Sequence, residues 1–314
     1  MVARLPPPLA RAAEQDQDMQ YRFLWFPLGA VSIWAGNTVV SKLAANVIAP
    51  EDISFYRWVL AAVLMSPFLA RQTWRNRANI RPHLGKIAVL ALLGMVLFQS
   101  LAYFAAATSS ATSMGIITSL MPLLTLLLSI RLLSEPPTVG TLAGGLLSLL
   151  GMSVLIGRGH PLDLFDNGVV VGDLLMLLAT VSYGLYGVLL RRWALPLVTW
   201  QLLYMQVLMA VLLLFPGFVI GHHTALTAQN LPILLYAGIA ASIVSQFLWM
   251  RGVAHLGASR CSAFVNLMPI FTVIIAVLAL GEDLHGYHAV GGAITLAGVM
   301  MAQFLKQRLF RPAQ

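Results

Sequence analysis

Apolar residues run along this chain in blocks of roughly 20 positions, the length a helix needs to cross the hydrocarbon core of a bilayer. Ten such blocks are legible: 23–45, 52–70, 86–107, 110–132, 138–157, 171–190, 199–220, 231–252, 259–280 and 287–306. Polar punctuation separates them, as at Pro50-Glu51-Asp52, the basic run from Arg71 to Lys86, Pro136-Pro137, the stretch from Arg158 to Asp166, and His222-His223. No gap is long enough for a soluble domain. The pattern predicts an all-α integral membrane protein with ten transmembrane helices.

Composition agrees with that reading. Hydrophobic residues make up 59% of the chain and charged residues 10%, against about 25% charged in a soluble domain. A net charge of +8 would suggest nucleic acid for a soluble protein. Here the basic residues sit in short loops, where Lys and Arg set membrane orientation. With the N-terminus in the cytoplasm and the spans alternating, only Lys42, Arg57 and Arg158 of the 19 basic residues fall on the outer side. Both termini are therefore expected in the cytoplasm of a multi-pass plasma-membrane protein, the inner membrane in a bacterium. Residues 1–22 are Pro-rich and then polar, without the apolar core of a secretory leader, and read as a disordered cytoplasmic tail. Residues 307–314 form a second cytoplasmic tail. The lone cysteine, Cys261, excludes an internal disulfide and a Cys-based metal cluster.

The blocks also repeat. Shifted by 147 positions, Gln99 to Gly151 lies without a gap on Gln246 to Gly298. Leu120-Met121-Pro122 meets Leu267-Met268-Pro269, Thr125 meets Thr272, Glu135 meets Glu282, Gly144-Gly145 meets Gly291-Gly292, and Gly151 meets Gly298. The chain thus reads as two five-helix repeats, 23–157 and 171–306. Five is an odd number, so the second repeat must enter the membrane from the opposite side. Inverted repeats are a common plan of secondary transporters, with the substrate site near the midplane between them.

Positions shared by the repeats read as scaffold and unshared ones as chemistry. Pro122 and Pro269 each remove a helix hydrogen bond in mid-span, giving either a hinge or a kink that neighbours tolerate. The glycines of spans five and ten read as small-residue packing faces. Polar side chains at membrane depth are costly and face a bundle interior. Ser242, Ser245, Gln246 and Trp249 form one helical stripe on span eight, and Trp34, Asn37 and Ser41 one on span one. Gln99, Tyr103, Ser119, Tyr183, Tyr186 and Asn266 join them from spans three, four, six and nine. The serines read as interhelical hydrogen bonds, worth about 0.6–2 kcal/mol each. Gln246 with Trp249, and Trp34 with Asn37, read as a cavity wall. Tryptophan favours membrane interfaces, where Trp25, Trp74, Trp193 and Trp200 fall; Trp34 and Trp249 do not. Their repeat counterparts are Gly184 (offset 150) and Ala102, so the symmetry breaks where the large aromatic groups stand. Lys42 and Arg57, in the outer third of spans one and two, read as snorkelling to the interface or as attracting a substrate carboxylate at the outer mouth.

At the paired runs Leu120 to Leu123 and Leu267 to Ile270, with Glu135 and Glu282 closing those spans and Gly144 and Gly291 in the next ones, the chain resembles the ten-helix EamA-type permeases of the drug/metabolite transporter superfamily. It is also similar to the YddG-type exporters of aromatic amino acids. The resemblance covers all ten spans. It implies a central cavity lined mainly by spans one, three, four, six, eight and nine, with five and ten peripheral. It further implies export of amino acids or other small metabolites; relatives of that fold carry nucleotide sugars or sugar phosphates, or export drugs. A sugar-phosphate exchanger would need several basic groups in mid-membrane to meet phosphate, and only the off-centre Lys42 and Arg57 are at hand. A membrane-embedded lipid enzyme would need paired carboxylates or His at one depth, which the sequence lacks. There is no His-Glu-x-x-His run and no nucleotide-binding glycine loop, so no cofactor, metal or enzymatic activity is expected. The expected partners are a small-molecule substrate and the lipid bilayer. No carboxylate or histidine lies near a span centre, so flow down the substrate's own gradient is expected, without obligatory proton coupling.

Overall fold

The computed structural model describes residues 22–44, 47–106, 108–109, 111–159, 170–221, 223–280 and 285–307. Residues 1–21, most of the second tail and Glu282 lie outside them. Among the described residues every regular element is a helix and no β-strand occurs. In chain order these are α1 Trp25–Ala44, α2 Pro50–Arg75, a one-turn helix Arg77–Ile80, α3 Leu84–Ala91, α4 Phe98–Ala106, α5 Ala111–Ser119, α6 Met121–Leu133, α7 Val139–Ile156, α8 Val171–Trp193 and α9 Thr199–Ile220. They continue with α10 Leu231–Leu235, α11 Ser245–Leu256, α12 Ala258–Ala263, α13 Met268–Leu280 and α14 Gly286–Phe304.

Local chemistry explains the boundaries. α2 opens on Pro50 with Glu51 and Asp52 in its first turn, where a missing N–H costs nothing and negative charge meets the positive helix end. Asp52 is buried and accepts from the Thr224 backbone N–H (2.5 Å), with His223 Nδ1 at 3.0 Å. It thereby pins the start of α2 to the segment after α9. Thr138 and Thr141 cap α7 reciprocally, the arrangement that satisfies two orphan donors at once. Gly257, at φ +86°, supplies the left-handed residue that turns α11 into α12.

Among the described residues seven helical stretches are both long and apolar enough to cross a membrane: Glu51–Arg75, Arg77–Ala102, Val139–Ile156, Val171–Trp193, Thr199–Ile220, Leu231–Leu256 and Ala258–Ile275. A shorter apolar helix covers Ile117–Leu133. α1 and α14 reach 20 and 19 residues. Phe68, Ile220 and Leu278 are 81%, 85% and 81% exposed, which suits a surface facing lipid rather than water.

Four stretches expected as continuous spans are irregular, and the irregularities fall in pairs. α3 runs into α4 through a π-helical segment, Leu92–Leu97, and α10 into α11 through another, Tyr236–Val244. Under the shift of 147 positions the first falls inside the second. The stretch 110–132 is divided at Leu120, and 259–280 is divided by a 3-10 segment, Phe264–Leu267. Pro122 and Pro269 are each the second residue of the helix that follows the division. A proline there forfeits no helical hydrogen bond, so both open new segments instead of bending a continuous helix.

At the glycines of α7 and α14 the two helices meet backbone to backbone in a seam. A Cβ on Gly144 would stand 2.5 Å from the Gly298 carbonyl oxygen, and one on Gly291 would stand 2.8 Å from that of Gly151. The glycine faces anticipated for packing meet each other within one chain. Leu142, Leu146 and Leu150 on α7, and Val290, Leu296 and Met300 on α14, point outward and are exposed.

Candidate functional site

Four helices bring five aromatic rings together: Trp34 on α1, Phe98 at the start of α4, Tyr183 and Tyr186 on α8, and Trp249 on α11. Tyr183 is the hub. The rings of Trp34, Phe98, Tyr186 and Trp249 lie 5.7, 4.9, 5.4 and 5.7 Å from it, and Trp34 lies 5.1 Å from Trp249. These spacings fall in the range where tilted and edge-on ring pairs attract, each worth about 0.5–1.5 kcal/mol beyond the area buried.

The backbone explains how the rings arrive. Tyr183 and Tyr186 are three residues apart and share a helix face. Phe98 follows directly on the π segment Leu92–Leu97, and Trp249 comes four residues after Ser245, where the π segment Tyr236–Val244 ends. Wide π turns frequently occur at functional sites. Gly94, inside the first of them, admits the ring of Tyr186: a Cβ there would sit 2.7 Å from ring carbons.

The cluster carries polar groups that the protein does not satisfy. Tyr186 Oη and Trp249 Nε1 are buried without a hydrogen-bond partner. The Tyr183 hydroxyl reaches Gln246 Oε1 only at 3.5 Å. An unpaired buried donor or acceptor costs about 1–3 kcal/mol, so a bound polar molecule that paired with these groups would be favoured. Tyr183, Tyr186, Gln246 and Trp249 are buried, whereas Trp34, Asn37 and Gln99 are half-buried. The four helices that carry the rings belong to stretches that the family resemblance implies for the wall of a central cavity.

Other expected site residues lie apart. Asn266 donates to Ser148 Oγ on α7 at 2.8 Å, and its Oδ1 is buried without a partner. It therefore braces the division before α13 against the seam helix. Ser119 is buried at the end of α5, beside the division at Leu120. The side chains of Lys42, Ser41 and Tyr103 lie outside the described residues. Arg57 does not snorkel: it is 5% exposed and donates from Nε to Ser242 Oγ at 2.7 Å. Its guanidinium carbon stands 5.3 Å from the ring centre of Trp58. Ser242 therefore does not join Gln246 and Trp249 in one stripe towards the rings. The π segment that contains it has more residues per turn than an α-helix, and it turns Ser242 towards α2. Phe98 was missed as a plain apolar residue. The signal that marked Trp249 was available for it, since its repeat counterpart is Ser245.

Among the described residues no three His, Cys, Asp or Glu side chains gather as a metal ligand set. The rings and amides of the cluster offer binding surface and hydrogen bonds, the equipment of recognition.

A model of the EamA-like transporter family matches residues 22–157 and again residues 170–304. The chain belongs to the EamA-like transporter family, within the drug/metabolite transporter superfamily. It is similar to the uncharacterized transporter YyaM of Bacillus subtilis, at 27% identity over 90% of this chain and 94% of that one. It is also similar to an uncharacterized transporter of Archaeoglobus fulgidus, at 26% identity over 86% and 93% of the two chains. A third relative, named "Probable terminal-alkyne amino-acid exporter", from Streptantibioticus cattleyicolor, is 26% identical over 88% of this chain and 92% of its own. A solved crystal structure shares the fold at a TM-score of 0.74 and 19% identity, covering 91% of this chain and 98% of that one. The protein is a multi-pass membrane transporter.

Proposed function

We propose that this transporter exports small organic metabolites, chiefly amino acids with aromatic ones among them, by alternating access, with the aromatic cluster as its substrate site. The observation that carries this reading is the five-ring cluster with unpaired polar atoms at Trp249 Nε1 and Tyr186 Oη. Ring faces receive an apolar or aromatic side chain, and the free polar atoms meet the substrate's own acceptors and donors. The name of the Streptantibioticus cattleyicolor relative, an amino-acid exporter, points to the same class of cargo.

In this reading the chain has ten spans, built as two inverted five-helix domains, 23–157 and 171–306, with both termini cytoplasmic. The paired π segments and the paired divisions before Pro122 and Pro269 support it. So does the seam, where Gly144 faces Gly298 and Gly151 faces Gly291. Because 144 pairs with 291 and 151 with 298 under the shift, that contact is reciprocal, as a two-fold axis requires. Two halves of near-equal structure can exchange conformations, which opens the centre first to one side and then to the other. The protein performs no chemistry on its cargo.

Uptake into proteoliposomes, measured with a panel of amino acids, sugar phosphates and lipophilic cations, tests the substrate. Saturable flux of amino acids is expected; flux confined to sugar phosphates would overturn the assignment. Orientation is tested by introduced cysteines, because Cys261 is fully buried and stays silent towards polar reagents. Labelling of an Arg75→Cys protein from the external side would reverse the topology.

A further inference from the structure

We propose that a groove on the basic face of the protein, between α2, the Arg77–Ile80 turn and α9, is a binding site for one anionic phospholipid. The groove has a volume of about 340 Å³. Apolar side chains such as Leu84, Met205 and Leu208 form its walls. Arg77 and Arg81 stand exposed on its lining. Arg71 and Arg75 lie nearby on the last turns of α2, off the lining. Among the described residues none of these four guanidinium groups forms a salt bridge.

A second observation points to an occupant. Thr73 is one of the residues lining the groove, and its Oγ1 is buried without a hydrogen-bond partner. Thr118 and Thr180 return the hydroxyl to the carbonyl four residues earlier; the Thr73 hydroxyl makes no such bond. The groove is also held in shape. Asn76 donates to Gln201 Oε1 at 3.0 Å, and the Ser66 and Tyr204 hydroxyls share a bond of 2.8 Å, so both ends of the wall are tied to α9. Trp74, 70% exposed with the Arg77 guanidinium 5.1 Å from its ring, marks the depth of the headgroups, where tryptophan concentrates.

Each part of a phospholipid has a counterpart here. An acyl chain lies along the apolar wall, the phosphate meets Arg77 and Arg81, and Thr73 donates to an ester or phosphate oxygen. Basic pockets between helices suit anionic headgroups. A free anion has no use for the apolar wall. The acidic stretch Glu14 to Asp18 of this chain has charge to offer but no acyl chain.

The test uses the full-length protein in detergent, titrated with phosphatidylglycerol, phosphatidylcholine or inorganic phosphate. Retained lipid is read by native mass spectrometry, and melting temperature is followed in parallel. Phosphatidylglycerol is expected to stay bound and raise the melting temperature, and phosphatidylcholine and phosphate to do neither. Arg77→Gln with Arg81→Gln should lower phosphatidylglycerol affinity about fivefold per charge removed. Thr73→Val should lower it without any change of charge. Arg71→Gln with Arg75→Gln, an equal charge change off the lining, should leave most of it.

Equal binding of both lipids, or an equal loss in the two double variants, would reduce the effect to diffuse surface charge and overturn the proposal. Phosphate reproducing the shift would make this a free-anion site. A lipid preference appearing only when Glu14→Gln, Asp16→Asn and Asp18→Asn neutralise the tail would show that the tail is the occupant. If the Arg77/Arg81 variant does not fold, the wild-type comparison between the two lipids decides.

Discussion

At the seam between α7 and α14 the two halves of the chain offer each other the same residues. Gly144 faces Gly298, and Gly151 faces Gly291. In the ring cluster the halves offer different ones: the counterparts of Phe98, Trp249 and Trp34 are Ser245, Ala102 and Gly184. The seam is backbone against backbone, with no room for side chains. The cluster is side chain against side chain, with polar atoms left over. Duplication therefore keeps its symmetry where two copies must pack on each other. It loses that symmetry where the halves face a common centre, and in the proposed function that centre receives a substrate without two-fold symmetry.

The hardest test of this contrast is to put a side chain into the seam. Gly144→Leu drives atoms into the Gly298 carbonyl and the backbone of Ala302, neither of which can rotate away. Overpacking costs about 1–3 kcal/mol in soluble cores, and a backbone neighbour puts this site at the upper end. Little folded protein is expected by size-exclusion chromatography, and a lower melting temperature for what remains. A normal yield and melting curve would mean that the seam is pliable and that its symmetry has no packing origin.

The cluster should respond in the opposite way. Trp249→Phe keeps a ring in place and removes the unpaired Nε1 donor. Losing one hydrogen bond to substrate is worth about 1 kcal/mol, roughly fivefold in flux, while stability stays the same or rises slightly. The full Trp249→Ala change is a poorer probe, because a buried Trp truncated to Ala costs about 3–5 kcal/mol in stability. Unchanged flux in both Trp249→Phe and Trp34→Phe would return the rings to packing and remove the functional half of the comparison.

Smaller effects are expected at the paired divisions. Pro122→Ala and Pro269→Ala restore a donor that can extend each helix back across its division. Turnover should slow while substrate affinity holds, and by similar amounts in the two variants because the two sites are equivalent. Equal turnover with wild type would leave the prolines as passive segment starts. The smallest effect is expected from ion gradients. With equal substrate on both sides of a proteoliposome, an imposed pH or sodium gradient should drive no net accumulation. Accumulation that collapses with the gradient would show coupling.

Much of this was legible in the sequence, and what was not has physical causes. The apolar blocks, the repeat and the glycine faces follow from periodicity and spacing, which one chain displays directly. Tyr183, Tyr186, Gln246, Trp249 and Trp34 were found as a group because large polar and aromatic side chains at membrane depth are costly enough to stand out. Asn266 is equally polar and equally deep, yet it spends its amide on Ser148, and nothing in its neighbours along the chain separates the two cases. Arg57 was misjudged because a long basic side chain near a span end normally reaches for water. The partner that holds it inside, Ser242, is 185 residues away. Phe98 carries no polar atom and so drew no notice.

The sequence alone determined the medium, the duplication and the membership of an all-helical transporter fold, because hydrophobic length and repeated spacing act along the chain and need no knowledge of neighbours. Tertiary structure decided which face of each helix meets which other. It placed a π segment within each of two expected helices, divided two more, and joined the glycine stripes in a single seam. It also closed five rings around Tyr183. Those outcomes depend on contacts between residues far apart in sequence. Inside a membrane, where lipid is as apolar as most side chains, close packing and paired polar groups choose among arrangements that hydrophobicity leaves equal.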